Sequence, residues 1–190
     1  MFVSLGGDPG SSHPGLAVTQ WTGLKWHILR LPVLHSLDDL ADELSEIHHA
    51  GLHIDVVCYE SVAWSLHAKA QGYGSGQILD AVGQLRLFAK VHRIPFIGVT
   101  GATWRKNATG SVHASKEDVR TALQRRVHGW PKGLIGLNRS DAVAISLCGG
   151  MTPTQARLLA MKQEAKKALR KGTKAMDGAP PGGRAPPRLK

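Results

Sequence analysis

The chain has 190 residues, 42% of them hydrophobic, and its formal net charge is +10. This length suits one globular domain with an appendage. No apolar run reaches the roughly 18 residues of a membrane span, and the N-terminus lacks the basic patch and long apolar stretch of a signal peptide. We therefore expect a soluble cytoplasmic protein, in which Cys58 and Cys148 are buried thiols rather than a disulfide.

The first part of the chain predicts three strands and a helix. Short, turn-forming connections join the strands, which favours an antiparallel meander. Ser36 then serves as a helix N-cap, and apolar residues at helical spacing continue until Gly51 ends the helix. The predicted strands are Phe2–Asp8, Gly15–Trp21 and Lys25–Leu31.

Two further strands alternate with helices. The apolar run Ile54–Glu60 is typical of a strand buried on both faces, and Pro95–Val99 predicts a short neighbour. At most one helical turn is expected at Ala102–Asn107, before a polar loop. The longer helices are Ile78–Val91, Ser115–Val127 and Asn138–Gly149. This order predicts an α/β fold: a mixed five-stranded sheet, an antiparallel meander plus two parallel strands, flanked by helices.

The positive charge is concentrated at the C-terminal end. Residues 1–150 contain 14 Lys/Arg against 12 Asp/Glu, whereas residues 151–190 contain 10 against 2. We expect a nearly neutral domain over 1–150, a basic helical extension over 151–174 and a disordered Pro/Gly-rich tail over 175–190. A basic tail favours a polyanionic partner, most often nucleic acid, although it can also serve only solubility.

Three acids fall where a sheet edge can bring them together. Asp8 ends the first strand and Glu60 the fourth, so parallel pairing of these strands would place both at the edge where open α/β sheets carry their sites. Asp141 follows Asn138 by three residues near the start of the last helix, so the two share a face. Taken singly, Asp8 can be a turn residue and Asp141 a helix-start charge. A Glu at the end of a buried strand is harder to explain as a purely structural residue, because buried Glu is rare unless it is paired.

Crowded carboxylates need a compensating charge. Mg²⁺ is a hard cation that prefers oxygen ligands, and two such ions about 4 Å apart can clamp an in-line phosphoryl displacement. Together with the basic tail, the three acids predict metal-dependent phosphodiester hydrolysis.

Four segments resemble the RuvC-type Holliday-junction resolvases, and their order and spacing match over residues 1 to about 150. They are Gly7-Asp8-Pro9-Gly10-Ser11, Tyr59-Glu60, Ser115-Lys116-Glu117-Asp118-Val119 and Ser140-Asp141-Ala142-Val143-Ala144-Ile145. The resemblance implies a ribonuclease H-like fold, a homodimer, and two Mg²⁺ ions for which Mn²⁺ can substitute. It also implies paired nicks in four-way DNA junctions during recombination or repair. The small domain is more similar to the phage-encoded branch.

The same resemblance assigns roles to the site residues. Asp8, Glu60 and Asp141 would be metal ligands, and Lys116 would stabilise negative charge developing near the scissile phosphate. Asn138 stands where many members carry a fourth acid. Its side chain would offer a neutral carbonyl oxygen or orient a water, and metal affinity at one site would be lower.

The loop after Glu60 would contact the DNA crossover. In the family an aromatic residue here stacks on an unpaired base, and Trp64, with Tyr73, is the candidate. Trp64 can equally pack under its own loop. Basic side chains that can contact phosphates, or remain solvated surface charges, are Lys69, Arg105, Lys106, Lys166, Lys167 and Arg170.

Two other classes of protein fit less well. One is a non-catalytic module of the same fold that binds branched nucleic acid, with Asn138 as a sign of decay; the intact acids and Lys116 argue against it. The other is a sugar-kinase or actin-like ATPase, which shares a strand–Asp–Gly opening. Such a protein needs about twice this length, and the sequence contains no GxxxxGK phosphate loop.

Overall fold

A computed structural model describes residues 1–10, 13–61, 75–133 and 135–150 of the chain. Six strands lie in this part: β1 Phe2–Asp8, β2 Gly15–Trp21, β3 Trp26–Arg30, β4 Val56–Glu60, β5 Phe96–Val99 and β6 Val127–His128. Five helices accompany them: α1 Leu37–His49, α2 Ser75–Val91, α3 Gly101–Thr109, α4 Lys116–Arg126 and α5 Leu137–Gly149.

All six described strands belong to one mixed sheet, in the order β5-β4-β1-β2-β3-β6. β1, β2 and β3 form an antiparallel meander, and β4 and β5 extend it with parallel pairing on the other side of β1. The predicted meander with two parallel strands is therefore confirmed. The predicted α/β class is also confirmed, because helices cover both faces of the sheet.

The predicted number of five strands was one too low. The additional strand, β6, has two residues and pairs in parallel with Trp26 and His27 of β3. Val127 leaves helix α4 with an extended backbone (φ −110°, ψ 127°), which lets it pair with the outer edge of β3. A strand of two residues has no side-chain alternation, so no sequence pattern predicts it.

Helix α3 is longer than the single turn that the sequence predicted. Its nine residues begin after Thr100, whose side chain accepts a hydrogen bond from the Thr103 backbone N–H, and end at Gly110 in the left-handed region (φ 87°). Trp104 and Ala108, four residues apart, are its buried residues. With only two buried positions in nine residues, the sequence lacks the broad apolar stripe from which a helix of this length is predicted.

Two hydrophobic cores lie on opposite faces of the sheet. One contains buried side chains of α1 and α2, and the other those of α3, α4 and α5. Because successive strand residues face opposite sides, Val57 of β4 belongs to the first core and its neighbours Val56 and Cys58 to the second. This alternation decides which way each residue at the sheet edge points.

Helix α5 packs unusually close to the sheet. Every residue from Ser140 to Gly149 is buried, because the sheet covers one side of the helix and α3 and α4 cover the other. A Cβ on Gly6 of β1 would lie 2.2 Å from the Ala142 carbonyl oxygen, so only glycine allows this approach. The small Ala142 lies against the sheet at Gly6 and Gly15, as expected, whereas Ala144 is buried but two residues further round the helix.

Both cysteines are free and buried, which confirms that prediction. Burial raises the pKa of the Cys148 thiol to about 11, as expected of an unreactive core thiol. No helix in the described ranges is long and apolar enough to cross a bilayer.

Candidate active site

Asp8 and Glu60 lie at neighbouring strand ends and face the same side of the sheet. β1 and β4 are parallel, and Gly7 is opposite Tyr59 in the last pair of their register. Asp8 follows Gly7 and Glu60 follows Tyr59, so the two acids stand side by side at the ends of adjacent strands. Asp8 is two residues after Gly6, which contacts α5, and Glu60 is two residues after Cys58, which belongs to the α5 core. Strand alternation therefore directs both carboxylates toward the face that α5 covers.

Asp8 is almost completely buried, with 4% exposure. The Gly10 backbone N–H donates a hydrogen bond to Asp8 Oδ1 at 3.1 Å. Burial, followed by the negative charge of Glu60, raises the pKa of Asp8 to about 7, and the Asp141 charge acts in the same direction. The Gly10 hydrogen bond and the Lys116 charge oppose this shift. The three acids are thus electrostatically coupled, and this coupling adds to burial in disfavouring the charged form of Asp8.

Asp141 is fully buried and pairs with the first residue of α4. Lys116 Nζ lies 2.5 Å from Asp141 Oδ2, and the Lys116 side chain keeps 41% exposure. Burial raises the pKa of Asp141, while Lys116 counteracts the rise. The same carboxylate raises the pKa of Lys116 against its own burial. Neither Asp141 oxygen has a hydrogen-bond partner of good geometry among the described residues, so the carboxylate retains unused acceptor capacity.

Glu60 is half-buried and contacts helix α3. The indole N–H of the fully buried Trp104 donates a hydrogen bond to Glu60 Oε1 at 3.2 Å. The Arg105 guanidinium lies 4.7 Å from the centre of the Trp104 ring, in cation–π geometry. A Cβ on Gly101 would lie 3.2 Å from Glu60 Oε1, so the carboxylate rests directly on the first turn of α3.

Asn138 lies at the rim of this cluster and contacts the loop after β1. Its side-chain N–H donates a hydrogen bond to the His13 carbonyl oxygen at 2.7 Å. The side chain therefore anchors the loop that follows Asp8. Its predicted part in metal or water binding stays a prediction.

The donor set fits a hard divalent cation. Carboxylate oxygens are the ligands that Mg²⁺ prefers, and the buried Asp141 oxygens have acceptor capacity to offer. A cation would also offset the mutual repulsion that raises the pKa of Asp8. Within the described residues, no three His, Cys, Asp or Glu side chains are arranged to hold a metal ion as they stand.

The predicted DNA contacts divide into those the structure describes and those outside it. Arg105 packs on Trp104, next to the acids. Lys106 is exposed and lines an open groove of about 720 Å³ between α3 and α4, together with Arg125 and Arg126. The other predicted contacts lie outside the described residues: Trp64, Lys69, Tyr73, Lys166, Lys167 and Arg170.

Sequence reasoning missed Trp104 and the two arginines of α4. A tryptophan shortly after a short strand, in a segment with few other apolar residues, was the available signal for Trp104. The Arg125-Arg126 pair is visible in the sequence, but its proximity to Lys106 depends on the packing of α3 against α4.

Comparisons with known proteins identify the fold. No protein-family model matches the chain, and no curated protein sequence does. Among solved structures, RuvC of Thermus thermophilus in complex with a Holliday junction substrate is similar, with a TM-score of 0.65 and 21% identity; the match covers 77% of this chain and 92% of that one. Another Thermus thermophilus RuvC structure has a TM-score of 0.61, with the same identity and coverage.

A more distant match is the yeast mitochondrial Holliday junction resolvase Ydc2. Its TM-score is 0.54 at 12% identity, over 85% of this chain and 82% of that one. The structural neighbours are thus resolvases of the kind that the sequence motifs resemble, and the expected ribonuclease H-like fold is confirmed. The chain has the fold of the RuvC-type Holliday-junction resolvases.

Proposed function

We propose that this protein is a structure-selective DNA endonuclease that resolves Holliday junctions by paired phosphodiester nicks. The observation that carries the proposal is the convergence of Asp8, Glu60 and Asp141 on one face of the sheet edge, with Lys116 paired to the buried Asp141. The resolvase fold supports it, since one neighbour is a complex with a Holliday junction substrate.

Asp8, Glu60 and Asp141 would hold divalent cations, which we propose to be two Mg²⁺ ions or Mn²⁺ in their place. When bound there, the metal supplies water activation and stabilisation of the leaving oxygen. The protein itself supplies rigid strand ends that fix Asp8 and Glu60, and a helix that excludes water from Asp141. Lys116 contributes positive charge for the phosphate, and Asn138 orders the loop beside Asp8.

The DNA would extend from this edge along basic surfaces. Arg105 and Lys106 lie on α3, whose first turn contacts Glu60, and we propose that both contact phosphates. Trp64, Tyr73 and Lys69 would act at the crossover. The extension over 151–174, with Lys166, Lys167 and Arg170, and the tail over 175–190 would add electrostatic affinity to the nuclease domain over 1–150.

We also propose a homodimer acting in the cytoplasm, with α2 as the contact between copies. Leu79, Leu87 and Val91 are 52%, 62% and 64% exposed, and Gly83 completes the i, i+4, i+8, i+12 series along one side of the helix. A second copy that covered this apolar stripe would remove it from water and so stabilise the dimer. Two active sites on one dimer would account for paired nicks.

A substrate panel tests the proposed function. Wild-type protein and Asp8→Asn would be incubated with four-way, forked, flapped and linear DNA and Mg²⁺, with products mapped to single nucleotides. We expect symmetric nicks in the four-way junction from the wild type only, with binding retained by Asp8→Asn. Binding without cleavage by the wild type would instead support the alternative, a non-catalytic module for branched nucleic acid. Full activity of Asp8→Asn would refute the assigned site.

A further inference from the structure

The carboxylate of Glu60 is held by helix α3 rather than only by the strand that carries it. Trp104 Nε1 donates to Glu60 Oε1 at 3.2 Å, and the backbone at Gly101 approaches the same oxygen so closely that a Cβ there would lie 3.2 Å away. A glutamate side chain has three rotatable bonds beyond its Cα, so its carboxylate is poorly fixed by a strand alone. Two independent features of α3 converge on this one oxygen.

The alternative explanation is that Glu60 merely satisfies a buried indole. A buried tryptophan usually finds a partner for its N–H, and any nearby acceptor would serve. However, the first turn of α3 also approaches Glu60 from another side, since a Cβ on Gly101 would lie 3.2 Å from Glu60 Oε1 and 3.4 Å from Arg105 Nη1. The Arg105 guanidinium lies over the face of the Trp104 ring, while the indole N–H at the ring edge donates to Glu60. An indole that needs only an acceptor does not account for the additional close approach of the carboxylate to Gly101.

We propose that Trp104 is a positioning residue that fixes the Glu60 carboxylate for metal binding through its indole N–H. The inference rests on the proposed function, because it concerns the same site. Carboxylates that bind metals are themselves usually hydrogen-bonded, and removing such a partner typically lowers metal affinity or activity about 10–100-fold. Trp104 makes this contact from a fully buried ring with few alternative positions.

The hydrogen bond can be observed without any catalytic assay. The chain has five tryptophans, so an ¹⁵N-labelled sample gives five indole N–H signals in an NMR correlation spectrum. Triple-resonance assignment, or Trp104→Phe, identifies that of Trp104. We expect this signal to move in Glu60→Ala and on titration with Mg²⁺, and to stay in place in the remote control Glu46→Ala. An unmoved signal in Glu60→Ala would show that the contact is absent and overturn the proposal.

A double-mutant cycle then separates positioning from packing. We expect Mn²⁺ affinity, measured by electron paramagnetic resonance, to fall about 10–100-fold in Trp104→Phe. When Trp104→Phe is added to the Glu60→Ala variant, which has already lost the carboxylate, we expect hardly any further fall in Mn²⁺ affinity. The half-buried Trp130→Phe is the matched control and should leave Mn²⁺ affinity unchanged. Equal losses from Trp104→Phe in both backgrounds would show that the ring acts only through packing, and would overturn the proposal.

These outcomes remain distinguishable from failure of the proposed function. If wild-type protein cuts no branched DNA, the endonuclease proposal fails, whereas the indole signal and Mn²⁺ affinity still report on Trp104 and Glu60. If the wild type cuts junctions but Trp104→Phe retains wild-type Mn²⁺ affinity, the function stands and the positioning role is wrong. Should Trp104→Phe not fold, the Glu60→Ala spectrum alone decides whether the hydrogen bond exists.

Discussion

Lys116 and Asp141 form an ion pair whose two members differ sharply in exposure: the ammonium is 41% exposed and the carboxylate is fully buried, with 2.5 Å between Nζ and Oδ2. The buried charge of Asp141 is therefore balanced by an ammonium group that is partly exposed to solvent. A divalent cation that binds Asp141 would compete with this ammonium for the same oxygen. Lys116 would then be available to a DNA phosphate, as its proposed role requires.

Replacing Lys116 with Met should separate these two roles. The metal-free variant should lose about 1–2 kcal/mol of unfolding free energy, because it leaves a buried carboxylate unpaired, with a discount for the exposed ammonium. Mg²⁺ should restore more stability to it than to the wild type, while cleavage is abolished. Urea unfolding with and without Mg²⁺ measures the first two effects. The exposed Lys132→Met is the control, and an equal Mg²⁺ response in Lys116→Met and the wild type would rule out competition at Asp141.

The metal-free protein should lose stability as pH rises. The pKa of Asp8 is about 7 in the folded protein against 3.8 for the free side chain, so the native state binds more protons between these values. Unfolding free energy should therefore fall from about pH 4 to about pH 7, and the raised pKa of Asp141 acts in the same direction. Urea unfolding in the presence of EDTA at pH 5 and pH 8 measures this slope.

Asp8→Asn should flatten that pH profile, because the amide does not ionise and still accepts from the Gly10 N–H. At pH 8 we expect it to exceed the wild type by on the order of 1–3 kcal/mol of unfolding free energy. An unchanged slope in this variant would mean that Asp8 ionises normally in the folded protein.

Gly6→Ala should disturb the candidate active site, although Gly6 is not one of the site residues, because it displaces the helix that carries Asp141. The added methyl group would lie 2.2 Å from the Ala142 carbonyl oxygen, one residue from Asp141, and must push α5 away from β1. We expect a loss of about 3 kcal/mol or more in unfolding free energy. Gly76→Ala, near the start of α2 and with no atom of the described residues within 4 Å beyond its own helix turn, should not destabilise the protein and should add at most about 1 kcal/mol. Similar melting temperatures for the two variants would contradict the close packing of α5.

The proposed dimer contact predicts a clear change in mass. Leu87→Asp places a charge in the middle of the α2 stripe and should convert a dimer into a folded monomer, as measured by light scattering after size-exclusion chromatography. Val33→Asp, at another exposed apolar side chain, should leave the mass unchanged. A dimer that persists in Leu87→Asp would place the interface elsewhere.

Deleting residues 153–190 should weaken DNA binding and reduce its dependence on salt. The removed segment carries most of the excess positive charge, and each lysine or arginine that no longer neutralises a phosphate reduces the slope of log affinity against log salt by roughly one. Cleavage at saturating protein should persist, because the acids lie within residues 1–150. Fluorescence anisotropy at several salt concentrations measures the slope, and an unchanged slope would make the tail dispensable for binding.

Local sequence patterns determined most of the elements and the strand ends that carry the acids. β1 and β2 have the predicted bounds, because alternating and continuous apolar runs bounded by Gly, Pro and Asp are strong strand signals. The capping box of Ser115 and Asp118 that begins α4 was also visible in the sequence, and both of its hydrogen bonds are present. Such signals depend on neighbours within four residues.

Tertiary structure decided what depends on contacts between distant segments. The pairing of β6 with β3, the full length of α3, and the contacts of Glu60 with Trp104 and of Lys116 with Asp141 join residues far apart in the chain. The sequence by itself determined which acids stand at strand ends and near a helix start. Only the parallel pairing of β1 with β4 and the close approach of α5 at Gly6 brought the buried Asp8 and Asp141 and the half-buried Glu60 into one mutually repelling cluster, because charge coupling depends on distance in space.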